Sequence, residues 1–266
     1  MPELPEVELV RRRIETGVLG SRIEEVQILD LKRLDSVSPE RLKDELKGKT
    51  FIKVGRIGKQ LLLGTEAGVL AIHLGLTGDV VIGTSVDRLP RFARLIVRFE
   101  DGRRMVFEDM RRFGRVGFAR SVDEIVARKR LGPDVMVVSS RTFAERARRH
   151  KRAIKSVLLD QSVVSGIGNL YADEALFQAG IHPQTLASFL SESELRNLHR
   201  CAKRVMGRSL TVGSDFDLLP RTYLLRNRRE GEVCPGTNGA RLASITVGGR
   251  TTVYCPRKQR LRRAPR

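Results

Sequence analysis

The sequence has no tryptophan, three tyrosines and an aromatic content of 5%. So few rings argue against stacking on many unpaired bases as the main way of holding a partner. Three cysteines, an odd number in a chain this long, do not make a disulfide framework. No run of about 18 apolar residues and no signal-peptide pattern is present, so neither a membrane span nor secretion is expected. The expectation is a soluble protein, cytoplasmic or nucleoid-associated. Acid is scarce as well: 31 Asp and Glu stand against 50 Lys and Arg, a net charge of +19. Such an excess is a physical argument for a polyanionic partner, with nucleic acid the first candidate. An anionic membrane competes, but no basic amphipathic helix with a large apolar face stands out.

What is there falls into three parts. At 266 residues the chain can build one large core or two modest ones. After a first helix, residues 1–132 read mostly as strands. Short apolar runs at 51–54, 61–63 and 69–74 are separated by glycines. Residues 91–99 alternate, with Ala93, Leu95, Val97 and Phe99 on one face and Arg94, Ile96 and Arg98 on the other. Asp101-Gly102 supplies a hairpin turn into Met105-Val106-Phe107. This spacing predicts a two-layer antiparallel β-sandwich. Gly132-Pro133 marks a boundary, and 133–225 turns helical. There Ser191-Glu192-Ser193-Glu194 is a capping box, followed by Leu195, Leu198, Ala202, Val205 and Leu210 along one face. The remainder, 226–266, holds a hairpin predicted over 243–254, turning at Gly248-Gly249, and a basic tail at 257–263. The fold class is α+β and multidomain.

Chemistry gathers in two stretches. The first is Met1-Pro2-Glu3-Leu4-Pro5-Glu6. Removal of Met1, which a small Pro2 favours, leaves Pro2 as a free secondary amine. With an unperturbed pKa of about 8 it is partly neutral at cellular pH. It can attack an aldehydic sugar carbon and form an imine, a strategy otherwise used by lysine. Glu3 holds a carboxyl beside that nucleophile. Pro5 suits the first turn of a helix, Val7, Val10 and Ile14 recur at helical spacing, and Gly17 offers a stop. The dyad is therefore expected at the positive end of a helix dipole. The second stretch runs from Gln161 to Leu176 and reads as two helices joined by a tight turn. Gly166 and Gly168 let the backbone approach a neighbour closely. The N–H groups opening the next helix are expected to be free for a phosphate, with Lys155 adding charge and Asn169 a neutral donor.

Three segments carry a resemblance to a known family: Pro-Glu-Leu-Pro-Glu-Val-Glu at 2–8, Gly-Ile-Gly-Asn-Leu-Tyr-Ala-Asp-Glu-Ala at 166–175, and Gly-Gly-Arg-Thr-Thr-Val-Tyr-Cys-Pro at 248–256. In this order they resemble the formamidopyrimidine-DNA glycosylase / endonuclease VIII family, over almost the whole chain. The resemblance implies a β-sandwich, a helix–two-turn–helix domain and a C-terminal finger, with duplex DNA held in the cleft between. It also implies bifunctional base excision, a glycosylase joined to a β,δ-eliminating lyase at abasic sites. Pro2 matches the nucleophile that forms a Schiff base at the deoxyribose C1′, and Glu3 the acid that helps open the sugar ring. Glu6 matches a supporting carboxylate. Lys59, in Gly58-Lys59-Gln60-Leu61, matches a lysine that contacts phosphate and assists elimination. Asn169 matches a phosphate-holding asparagine, with Gly168 and Tyr171 in the same DNA-binding turn, and Arg250 the finger arginine that grips phosphates flanking the lesion. A duplex base must be flipped to be reached, and the gap filled. Leu76, Arg111 and Phe113 match the void-filling positions; Leu76 stands where methionine is frequent and keeps the apolar wedge.

Two departures stand out. The family's usual finger binds zinc with two Cys-x-x-Cys pairs, but here they read Cys234-Pro235-Gly236-Thr237 and Cys255-Pro256-Arg257-Lys258. Thr237 and Lys258 replace two of the four thiols, and the histidines, at 73, 150, 182 and 199, lie elsewhere. Two thiolates do not close a tetrahedral site, so no cofactor is expected and the hairpin is expected to be held by packing. A Cys234–Cys255 disulfide is open to the geometry but disfavoured in a reducing cytosol. The second departure is the stretch 213–231, short and recast against the loop that caps oxidised guanine in the formamidopyrimidine branch. The expected function is a monomeric DNA repair glycosylase and abasic-site lyase acting on duplex DNA with a damaged base or abasic site. The rival is a non-catalytic damaged-DNA-binding protein on the same scaffold, which would have no need of Pro2 beside Glu3. A general nucleic-acid binder explains neither the N-terminal hexapeptide nor the Arg111/Phe113 pair.

Overall fold

The computed structural model describes residues 2–84 and 87–262; Met1 and the last basic-tail residue, Arg263, lie outside them. The chain divides into two compact units, one of residue 2 with Glu6–Arg130, the other of Glu3–Pro5 with 131–262. Helix α1 (Leu4–Val18) begins in the second unit and continues into the first. Pro5 sits in its first turn, where a missing N–H has no helical partner to lose. Val7, Val10, Ile14 and Val18 are buried on one face. Gly17 is not the expected stop, since the helix runs on to Val18. A Cβ at Gly17 would lie 2.4 Å from Ile82 Cδ1, so that side chain packs over the glycine.

The first unit carries strands β1 (Ile23–Ile28), β2 (Leu34–Asp35), β3 (Lys53–Ile57), β4 (Gln60–Gly64), β5 (Val69–His73), β6 (Gly78–Thr84), β7 (Ala93–Phe99), β8 (Arg103–Asp109) and β9 (Arg115–Ala119). Helices α2 (Pro39–Leu46) and α3 (Val122–Arg128) complete it. The strands form a four-stranded sheet, β1-β7-β8-β6, and a five-stranded one, β2-β9-β5-β4-β3. Every pair is antiparallel except the two-residue β2 against β9. Leu61, Leu63, Leu70 and Ile72 from one sheet share a core with Leu95, Val97, Met105 and Phe107 from the other, so the predicted sandwich is present. One face assignment is corrected. A bulge between Ala93 and Leu95 turns Ala93 away from Leu95, Val97 and Phe99, and it packs with Ile96 and Val106.

The second unit is built on helices α4 (Ser140–Arg148), α5 (Ile154–Leu159), α6 (Asn169–Ala179) and α7 (Glu192–Thr211). The capping box forms with both arms: Glu194 N–H donates to Ser191 Oγ and Ser191 N–H to Glu194 Oε2. Leu195, Leu198, Ala202 and Val205 are buried, while Leu210 is only half-buried. Leu4 enters this core, and Gly166, at φ +111°, leaves it room; a Cβ there would lie 2.4 Å from Leu4 Cδ1. Strands β10 (Ala243–Val247) and β11 (Arg250–Tyr254) make the predicted hairpin. Its turn, Gly248-Gly249, has both φ values positive, which suits a two-residue type I′ connection.

Candidate functional site

The predicted site residues divide between the two units, and Glu3 is the most firmly held. Its side chain is fully buried, and its carboxylate accepts the N–H of Leu170 at 2.8 Å and of Tyr171 at 3.3 Å. These are orphan donors of the first turn of α6, whose N-cap, Gly168, offers no side chain. An anion is favoured at that positive helix end. Gly168 is required by the same contact, because a Cβ there would lie 2.2 Å from Glu3 Cδ. An expectation is corrected here: these N–H groups are not free for phosphate, since the chain's own carboxylate takes them. Tyr171 is corrected with them. Its ring is fully buried and its hydroxyl is hydrogen-bonded to Ser209 Oγ at 2.6 Å, so it acts on Glu3 through its backbone. Gly168 likewise supplies room for Glu3. Pro2 precedes α1 and is half-buried; Glu6 is half-buried in that helix's first turn.

In the first unit, Lys59 occupies the two-residue turn between β3 and β4, beside Gly58 at φ +56°. Its charge is felt by His73 on β5. Burial first, then Lys59, push that imidazole down to about 4, so it is neutral at pH 7. His73 Nδ1 accepts the N–H of Gly75 at 3.0 Å, which fixes the loop carrying Leu76. That loop lies against the next one, since a Cβ at Gly75 would be 2.5 Å from the backbone N of Gly114. Asp109, a buried acid, joins the two. Its carboxylate accepts from Thr77 Oγ1 at 2.6 Å, from Gly114 N–H at 2.7 Å and from Arg111 N–H at 3.2 Å. Leu76, Arg111 and Phe113 therefore share one edge of this unit. Phe113 is 51% exposed, with the Arg111 guanidinium 5.2 Å from its ring centroid. Asp109 was not found from the sequence; an acid leading the turn Met110-Arg111-Arg112-Phe113-Gly114 was the available signal.

In the second unit, Lys155 is corrected. Its side chain is fully buried and paired with Asp173 at 2.6 Å, so it has no access to a phosphate. Burial lowers the affinity of this amine for its proton, and Asp173 offsets that. Asn169 is half-exposed, and its amide donates to the Thr251 carbonyl at 3.1 Å. Arg250 is exposed at the start of β11. Neither Asp173 nor its second cation, Arg228, was found from the sequence. Asp173 lies inside the quoted turn motif but reads as one more polar helix residue.

The hairpin is not held by packing alone. Cys234 and Cys255 form a disulfide, fully buried among Phe177, Leu224, Leu242 and Val253, the pairing that the sequence left open but disfavoured. Thr237 donates its hydroxyl to the Cys234 carbonyl at 2.8 Å. Lys258 lays its ammonium 3.9 Å from the Phe177 ring centroid, and its charge moderates Glu174. Burial pushes that carboxyl up to about 7, while it accepts the Leu225 N–H at 2.8 Å. The residues at the four finger positions thus bind one another or nearby groups, and do not fit a zinc ion. Among the described residues no group of three or more His, Cys, Asp or Glu could hold a metal.

Comparison with known proteins bears on these observations. Residues 1–116 match the family model described as the formamidopyrimidine-DNA glycosylase N-terminal domain, and 131–217 its H2TH domain. A formamidopyrimidine-DNA glycosylase of Pelobacter propionicus is 36% identical across 97% of this chain and 100% of its own. One from Arabidopsis thaliana is 35% identical across 98% of this chain and 71% of its own. Among solved structures, the Lactococcus lactis enzyme bound to DNA with an abasic site superposes with a TM-score of 0.86. It is 29% identical and covers 97% of this chain and 100% of its own. MutM in complex with carbocyclic 8-oxo-G containing DNA gives 0.87 at 30% identity, over 97% of this chain and 100% of its own.

Proposed function

The chain belongs to the formamidopyrimidine-DNA glycosylase family, and from that premise we propose how its own residues carry out the family's chemistry. It is a base-excision repair DNA glycosylase with abasic-site lyase activity, and its partner is duplex DNA with a damaged base or abasic site. The observation that carries the reading is the seating of Glu3 on the first turn of α6, which joins the N-terminal hexapeptide to the Gly-Ile-Gly-Asn turn. On this reading the Glu3 carboxylate takes a proton from the Pro2 ammonium. The neutral amine attacks C1′ of the damaged nucleotide, breaking the glycosidic bond, and the departing base takes up the proton still on the proline nitrogen. The carboxylic acid returns its proton to the ring oxygen, opening the sugar as the C1′–O bond breaks and the iminium forms. Glu6 supports the pair, and Lys59 contacts phosphate and assists elimination. Leu76, Arg111 and Phe113 fill the space left by the flipped nucleotide. Asn169 and Arg250 hold the backbone. The division into 1–132, 133–225 and 226–266, a monomeric state and a cytoplasmic, nucleoid-associated location belong to the same proposal. No described helix is long and apolar enough to cross a membrane. No observation favours the non-catalytic alternative.

Lesion choice follows from the stretch between α7 and the hairpin. Leu219, Tyr223, Leu224 and Leu225 are buried, and Arg226 donates to the carbonyls of Asp217 and Leu219. A segment anchored at these residues is restrained from closing over a purine, and closure is what adds contacts to the base. Weak excision of 8-oxoguanine is expected beside stronger action on ring-opened or saturated bases, hydantoins or bulkier adducts. Single-turnover cleavage of duplexes carrying one defined lesion each decides this. If 8-oxoguanine opposite cytosine is the fastest substrate, the segment does not limit closure as proposed; if no lesion is released, the glycosylase reading itself fails. The finger works without zinc in this proposal. Elemental analysis should find no stoichiometric zinc and chelators should leave activity unchanged, whereas one tightly bound zinc per chain overturns it.

A further inference from the structure

Asp173 lies within α6, fully buried, with two cations on it. A carboxylate removed from water needs a partner for each oxygen. Oδ1 pairs with Lys155 Nζ at 2.6 Å. Oδ2 accepts from Arg228 Nε at 2.8 Å and from the Val253 N–H at 3.0 Å. The cations reach further. Lys155 donates to Thr252 Oγ1 at 2.7 Å, and that hydroxyl donates to the carbonyl of Arg250 at 3.0 Å. Arg228 Nη2 donates to the Thr251 carbonyl at 2.9 Å, the same oxygen that takes the Asn169 amide at 3.1 Å. The first four residues of β11 are thus all tied to one carboxylate, directly or through its cations.

Burying such a network is a poor route to stability, because desolvation offsets much of the attraction between the charges. Phe177, Leu224 and Val253 already supply apolar contact between α6 and the hairpin. Hydrogen bonds add direction, and with it the register of β11 along α6. Asn169 opens that helix and Arg250 opens that strand, so the register sets the distance between the two. We propose that Asp173 is a positioning residue: through Lys155 and Arg228 it fixes β11 against α6 so that Asn169 and Arg250 grip DNA phosphates at one spacing. This rests on the reading above, in which those two residues hold the backbone.

The test is a salt titration of binding, with the full chain and a duplex carrying one tetrahydrofuran abasic analogue. In the wild-type background, Arg250→Ala is expected to lower the slope of log K against log salt by about 0.9, the share of one neutralised phosphate. In an Asp173→Asn background Arg250 is no longer held at its phosphate. Adding Arg250→Ala there should lower the slope by less than about half as much, a coupling between the two sites. Arg228→Gln leaves the Asp173–Lys155 pair intact and should show the same coupling, smaller in size; it serves as the background if Asp173→Asn does not fold. Equal slope changes in the wild-type and variant backgrounds overturn the positioning role, because a merely structural Asp173 changes melting temperature without changing the coupling. No slope change for Arg250→Ala in the wild-type background overturns the phosphate reading instead, so the two failures are told apart.

Discussion

Acetylation of the Pro2 nitrogen, or retention of Met1 in front of it, reduces borohydride trapping on abasic-site DNA to background. A secondary amine condenses with the abasic aldehyde to an iminium, and borohydride reduces that to a stable amine linking protein and DNA. An amide nitrogen has its lone pair delocalised into the carbonyl and does not add. Pro2→Gly puts a primary amine at the same place and should keep part of the activity. Mass spectrometry of the trapped peptide assigns the linkage. Equal trapping by the Met1-retaining form removes Pro2 as the nucleophile.

Glu3→Gln should lower base excision by about 10²- to 10⁴-fold, the usual worth of a positioned proton donor, and abasic-site cleavage by clearly less. The asymmetry comes from the substrates: excision needs the sugar ring opened with acid help, whereas an abasic site already offers an aldehyde. The structure adds a complication that the measurement can separate. Glu3 accepts two backbone N–H groups at the start of α6, and a glutamine amide offers one oxygen for both. Some loss of stability is therefore expected, on the order of 1–3 kcal/mol for a backbone donor left unsatisfied. A melting curve reads that part, and the ratio of the two activities reads the acid role. Equal losses of both activities mean Glu3 acts through the fold, not as the acid.

The sandwich was legible because its strands alternate or run apolar between glycines, a period that needs no tertiary information. Ala93 escaped because a bulge adds one residue to one strand, and nothing in the alternation marks where it falls. The Pro2–Glu3 pair could be named because adjacency in sequence is adjacency in space. The destination of the Glu3 carboxylate could not, since Leu170 and Tyr171 lie 167 and 168 residues away. Lys155 failed for a related reason. A lysine near a glycine turn looks like a phosphate ligand until its acid is known to be Asp173, on the next helix. The loss of two zinc ligands, at Thr237 and Lys258, could be read from the sequence, but the joining of Cys234 to Cys255 depends on how the hairpin folds back.

One carboxylate, Asp109, fastens the loop of Leu76 to that of Arg111 and Phe113, so the three tips share a single position relative to the strands beneath. On the proposed reading, in which these tips enter the base stack, a chain travelling along a duplex meets each base step with one stiff tooth in place of three separate fingers. The proposed encounter then has two outcomes, seating or sliding on, and how readily that pair of bases unstacks, a property of the DNA, is expected to weigh on which occurs.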